Sequence, residues 1–155
     1  MKLYYSSASP YARKAWIVAI EAGIGERLTT VPMSVQPHLP NRDFARVNPL
    51  MKIPVLERDD GTLVYDSAVI CEYLDSLGGG RVFPAAGEAR WQALRRHALA
   101  DGIMDAAILA RYETTLRPEP LRWPEWLAGQ YAKIDNALKA DQYFDPKPFL
   151  DAVKA

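Results

Sequence analysis

The chain has one cysteine, Cys71, and two histidines, His38 and His97, in 155 residues. A single thiol closes no disulfide within the chain, which excludes a disulfide scaffold and fits a reducing compartment. The histidines lie far apart, with no cysteine or second histidine at ligand spacing, so no metal site is expected. Net charge is missing too: 19 Lys and Arg residues balance 19 Asp and Glu residues. Without a basic excess, neither nucleic acid nor an anionic membrane surface is expected as a partner. No secretory leader and no run of about eighteen apolar residues is present, which leaves a cytoplasmic protein as the expectation. What the chain does have is apolar content, 49%, enough for one domain or two small ones.

The most informative stretch is Ser6-Ser7-Ala8-Ser9-Pro10-Tyr11-Ala12-Arg13-Lys14. It follows a strand-like run over 2–6 and opens a helix-like run over 10–22 that stops at Gly23. Ser9 suits an N-cap, because its oxygen accepts an orphan helix N–H, and Pro10 suits the first helical position, where its missing N–H costs nothing. A hydroxyl is thereby held at the positive end of a helix, where an anion such as a thiolate is stabilised. Taken alone this is also an ordinary helix cap.

In chain order, residues 28–33 predict a second strand, and 44–47 a short irregular helix after a stretch rich in proline. The runs Ile53-Pro54-Val55-Leu56 and Thr62-Leu63-Val64-Tyr65, joined through Asp60-Gly61, predict a hairpin. Residues 67–77 predict a helix with Val69, Ile70, Tyr73, Leu74 and Leu77 facing inward. The order is β-α-β-α-β-β-α, an α/β domain over 1–77. Three glycines and a proline make 78–87 a linker. The segment 88–155 reads as all-helical, with a long helix over 88–112 on a stripe of Trp91, Leu94, Ala98, Asp101, Met104 and Ile108. A further helix begins at Pro124, with Leu127, Tyr131, Ile134 and Leu138 on one face.

Four motifs in this order carry a resemblance: Ser9-Pro10-Tyr11-Ala12-Arg13-Lys14, Asn48-Pro49-Leu50-Met51-Lys52-Ile53-Pro54-Val55-Leu56, Asp66-Ser67-Ala68-Val69-Ile70, and Asp101-Gly102-Ile103-Met104-Asp105. Together they resemble the glutathione S-transferases, and among them the bacterial members that use a serine, over residues 1–140. The resemblance implies a thioredoxin-like N-terminal domain followed by an all-α C-terminal domain. It also implies glutathione as cosubstrate, a small electrophile as the second substrate, activity of the kind used in detoxification, and a homodimer. The chain departs from the family pattern at its end, where Asp145-Pro146-Lys147-Pro148 and Phe149-Leu150 stand instead of further helices. On that reading the all-α domain is incomplete, and the apolar faces around Leu127, Ile134 and Leu138 are expected to be exposed or covered by a partner chain.

Within this resemblance Ser9 is the catalytic candidate, donating its hydroxyl proton to the glutathione sulfur, with Ser6 and Ser7 as alternatives. The Ile53-Pro54 bond is expected to be cis, since proline lowers the cis penalty to about 0.5–1 kcal/mol. Val55 N–H and C=O are then expected to stand exposed beside an extended peptide, with Ile53 a further glutathione-binding candidate beside it. Asp66 and Ser67 end a strand and start a helix, so that Ser67 holds the γ-glutamyl carboxylate and Asp66 orients the site or meets the ligand's ammonium. Lys52 is the candidate for the glycyl carboxylate, beside weaker ones in Arg13, His38 and Arg42. Asp101 and Asp105 have three open readings: a contact to the neighbouring subunit's glutathione, an interface hydrogen bond, or a cap within the core. Cys71 reads as a small buried apolar residue, and Tyr11, Met104, Ile108 and Tyr112 as part of an electrophile wall between the domains or as core. A thiol-disulfide oxidoreductase is disfavoured, because Ser9 and Ala12 stand where a Cys-x-x-Cys pair is needed. A non-catalytic glutathione-binding or interaction protein is the stronger rival.

Overall fold

The computed structural model describes residues 1–140; the Asp145-Pro146-Lys147-Pro148 and Phe149-Leu150 segments lie outside the described residues. The chain divides into two compact units, Met1–Arg95 and a second from Arg96 onward.

The first unit begins with β1 (Lys2–Tyr5), α1 (Pro10–Glu21) and β2 (Thr29–Pro32), then β3 (Val55–Glu57), β4 (Leu63–Val64) and α2 (Ser67–Leu77). The four strands form one sheet in the order β2-β1-β3-β4. β1 runs parallel to β2 and antiparallel to β3, and β3 runs antiparallel to β4. A helix predicted over 44–47 is only a single 3-10 turn, Phe44–Arg46. Pro37, Pro40 and Pro49 bracket that segment and deny it donors, and the Asn41 side chain accepts the Phe44 N–H at 3.0 Å in their place.

Leu3 and Leu56 point to one face of the sheet, where α1 and α2 bury Ala15, Ala19, Ile70, Cys71 and Leu74 against them. Cys71 is fully buried there. The buried stripe of α2 is Ser67, Ile70, Cys71, Leu74 and Asp75. Val69, predicted to face inward, is 53% exposed, because the stripe lies one residue further round the helix. On the opposite face Phe44, Ile53 and Val55 form a second, smaller core with Tyr4 and Leu63 at its edge. The Tyr4 and Phe44 rings meet edge to face.

The segment after α2 is packed into this unit. The buried Asp75 carboxylate accepts the Val82 and Phe83 main-chain N–H groups at 2.8 and 2.7 Å, and Phe83 enters the core. Arg90 pairs with Glu72 at 2.7 Å.

α3 spans Gly87–Thr115 and α4 spans Pro124–Ala140. Trp91, placed on the inward stripe by its spacing, is 66% exposed. The buried positions of α3 are Ala106, Ala110 and Glu113, with 106 and 110 two residues on from the predicted Met104 and Ile108 and so on nearly the opposite side of the helix. Ile134 and Leu138, expected to lack cover within the chain, are instead buried against Ala106. Small side chains at 106 and 107 give the larger α4 residues a surface to fill. Leu127 is half-buried and Tyr131 remains exposed.

Candidate functional site

Strand direction gathers the candidate residues. Tyr4 pairs with Val55, and Leu56 with Val64, so the end of β1, the start of β3 and the end of β4 share one end of the sheet. The chain leaves β1 there into the Ser9 turn, enters β3 there through Ile53-Pro54, and leaves β4 there into Asp66-Ser67. Both α1 and α2 therefore begin at this end, and their partial positive charges face the same space.

Ser9 is the N-cap of α1. It has extended backbone angles, its Oγ accepts the Ala12 N–H at 3.3 Å, and Pro10 opens the helix. An oxygen engaged as an acceptor keeps its own proton to donate, and that proton has no acceptor among the described residues. Ser6 is drawn into the preceding turn, where its Oγ accepts the Ala8 N–H at 3.3 Å and its carbonyl the Ser9 N–H at 3.0 Å. Ser7 is exposed.

Asp66, and not Ser67, is the N-cap of α2: its Oδ1 accepts the Ala68 N–H at 3.0 Å. Ser67 occupies the first turn, 5% exposed, and its main-chain N–H has no partner among the described residues. The peptide bonds Ile53-Pro54 and Tyr65-Asp66 are both cis.

Val55 does not present an exposed backbone. It has no accessible surface and is paired with Tyr4 in the ladder, since β1 covers the side that the sequence left open. The peptide groups without a hydrogen-bond partner among the described residues lie two residues earlier, at Ile53, a residue itself only 9% exposed. Among the described residues neither the N–H nor the C=O of Ile53 is hydrogen-bonded, and the neighbouring Lys52 is exposed. Asn48 organises that loop, a role the sequence reading missed although Asn48 opens one of the motifs. Its amide donates to the Lys52 carbonyl at 2.8 Å and accepts the Leu50 N–H at 3.0 Å.

Arg13, His38 and Arg42 are exposed. Asp101 and Asp105 belong to the second unit, where Asp101 Oδ2 lies 3.7 Å from His97 Nε2. Among the described residues no group of three or more His, Cys, Asp or Glu is placed to hold a metal ion, and no helix is long and apolar enough to cross a membrane.

Away from the site, Glu57 on β3 links β1 through two contacts, Lys2 Nζ at 2.8 Å and the Tyr4 hydroxyl at 2.9 Å. The hydrogen bond from Lys2, then that from Tyr4, holds the Glu57 carboxyl below its ordinary range. Desolvation, reinforced by the bond to Glu57, raises the Tyr4 hydroxyl.

A four-stranded mixed sheet of this order, with two helix N-termini at one end and helices following, defines a thioredoxin-like domain joined to an all-α region. Residues 8–77 match the model of the glutathione S-transferase N-terminal domain. A glutathione transferase family member from Pseudomonas fluorescens Pf-5, solved with bound glutathione, superposes with a TM-score of 0.85 at 43% identity, over 89% of this chain and 68% of that one. A glutathione S-transferase from Methylobacillus flagellatus KT, also with glutathione bound, gives 0.76 at 39% identity, over 90% and 67%. The GST-like protein YibF of Escherichia coli K12, described as uncharacterized, is 33% identical over 139 residues, 89% of this chain and 66% of YibF. The chain belongs to the glutathione S-transferase family. It spans about two thirds of the length of these relatives.

Proposed function

We propose that this chain binds glutathione at the shared end of the sheet and activates its thiol for attack on a small electrophile. The observation that carries the reading is Ser9: a hydroxyl capping α1 with its proton unspent, beside the unpaired Ile53 peptide group and the start of α2. A free thiol ionises near 8.5, so little thiolate exists at neutral pH, and the thiolate is the nucleophile. A hydrogen bond from Ser9 together with the α1 N-terminus lowers that value, and holding the sulfur in place makes attack effectively unimolecular.

In this reading Ser67, at the first turn of α2, receives the γ-glutamyl carboxylate, and Asp66 meets the ligand's ammonium. Ile53 pairs its main-chain groups with the cysteinyl residue, and Lys52 faces the glycyl carboxylate. The glutathione bound in the P. fluorescens and M. flagellatus relatives supports the ligand. A homodimer, a cytoplasmic location and a role in detoxification belong to the same proposal, as does a division of the chain into a glutathione-binding domain over 1–77, a linker over 78–87 and an all-helical domain over 88–155. The second reading, glutathione held without conjugation, shares every contact except thiol activation, and the likeness to YibF, described as an uncharacterized GST-like protein, favours neither.

Calorimetric titration with reduced glutathione tests the site. One saturable site per chain, weakened about tenfold or more by Ser67→Ala through loss of a charge-assisted hydrogen bond, is the expected result. A folded chain that takes up no glutathione overturns the proposal.

A further inference from the structure

We propose that Asn48 is a positioning residue for this site: by gripping the Lys52 carbonyl it turns the Ile53 N–H toward the bound tripeptide. The inference rests on the glutathione reading and adds a residue to it.

Asn48 is 2% exposed, and both ends of its side-chain amide are engaged: Nδ2 donates to the Lys52 carbonyl at 2.8 Å and Oδ1 accepts the Leu50 N–H at 3.0 Å. Its backbone is engaged as well. The Asn48 N–H donates to the Phe44 carbonyl at 2.9 Å, and the Asn48 carbonyl accepts the Met51 N–H at 2.8 Å. One residue thus fixes the whole turn from 48 to 52, including Met51 in the left-handed region at φ 51°.

The consequence runs through a single peptide plane. The Lys52 carbonyl and the Ile53 N–H belong to the same trans peptide unit, in which C=O and N–H point in opposite directions. Drawing the carbonyl toward buried Asn48 therefore sends the N–H to the other side. That N–H has no partner among the described residues, whereas Val55 stands opposite Tyr4 within the ladder and has no accessible surface. An extended peptide adding to this end of the sheet meets a donor already oriented, which spares the cost of ordering it on binding. Without the Asn48 amide the 52–53 plane is free to rotate.

Asn48→Asp keeps the size and the acceptor for Leu50 and loses the donor to Lys52; Asn48→Ala loses both. Glutathione affinity is measured by calorimetry at a temperature where circular dichroism shows each protein folded. In parallel, the Ile53 amide of the unaltered chain is followed by nuclear magnetic resonance with and without glutathione. The expected result is about tenfold weaker binding in Asn48→Asp, with thiol ionisation in the remaining complex unchanged. The Ile53 amide of the unaltered chain is expected to shift and become protected from exchange on binding. Normal affinity in a folded Asn48→Asp or Asn48→Ala, with only the melting temperature lowered, overturns the inference and leaves the glutathione reading intact. Where neither variant folds, the amide decides: protection by glutathione supports the inference, and an unperturbed Ile53 amide overturns it. Failure of the unaltered folded chain to bind glutathione overturns the functional reading and this inference together.

Discussion

Glu113 on α3 accepts the main-chain N–H of Trp123, just before α4, at 2.7 Å through Oε1, while its Oε2 takes the Arg117 Nε–H at 2.7 Å. The side chain is 4% exposed, so the turn between the two helices closes over a carboxylate. The Trp123 N–H first, and then Arg117, hold this carboxyl below its ordinary value of 4.5. A group whose folded value is depressed contributes stability that is fully present above the unfolded value and is lost as pH falls through the folded one. Acidification from about pH 5 downward therefore weakens this contact. Because Glu57, Asp59 and Asp60 are also held low, the measurement is a difference: Glu113→Gln is expected to melt lower than the parent at neutral pH and to lose less on acidification. Parallel pH profiles for the two proteins would count against the assignment.

Gly78 caps α2 where it meets the end of α1. A Cβ at residue 78 would stand 2.6 Å from the Ala22 Cβ and would also strike the Ala22 carbonyl oxygen. The backbone of Ala22 cannot swing away as a flexible side chain can, so Gly78→Ala forces the helix ends apart. Overpacking of this kind costs about 1–3 kcal/mol. Urea denaturation of Gly78→Ala should show that loss with an unchanged slope; equal stability would mean that the ends are not held as described.

Asp75 receives two main-chain N–H groups from Val82 and Phe83. Asp75→Ala leaves two donors without their acceptor next to the core, each worth about 1–3 kcal/mol when unsatisfied in a buried setting. Loss of stability is expected by denaturant titration, together with faster hydrogen exchange at the amides of residues 82 and 83. Exchange at wild-type rates would refute the clamp.

Ser9→Ala removes the cap of α1 and the donor proposed for the thiol. The cap contributes about 1 kcal/mol, visible in thermal melts. With glutathione bound, ultraviolet titration of the thiolate is expected to give a value below that of free glutathione in the parent chain and to return toward it in Ser9→Ala. An unshifted thiol in the parent complex would favour the binding reading over the transferase.

The two helix starts at Ser9-Pro10 and Asp66-Ser67 and the hairpin around Asp60-Gly61 were legible in the sequence, because caps and tight turns are made by residues within a few positions of one another. The parts that were misread depend on remote neighbours. Val55 looks available from its place after a proline, yet β1, some fifty residues away in sequence, covers it. Ile134 and Leu138 look uncovered until Ala106 is placed opposite them, and the stripe through Trp91 looks buried until α3 is seen to bury nearly its opposite side, at Ala106 and Ala110.

The sequence by itself determined the family, the order of strands and helices, and which end of each helix carries a polar cap, since motif spacing and local hydrogen bonding are properties of contiguous residues. Tertiary structure decided which face of α2 and α3 is buried, that of the two candidates Ile53 and Val55 only Ile53 has a peptide group without a partner among the described residues, and that Asn48 reaches the Lys52 carbonyl. Burial and the direction of a peptide plane are set by what packs against them, and spacing along the chain does not specify that partner.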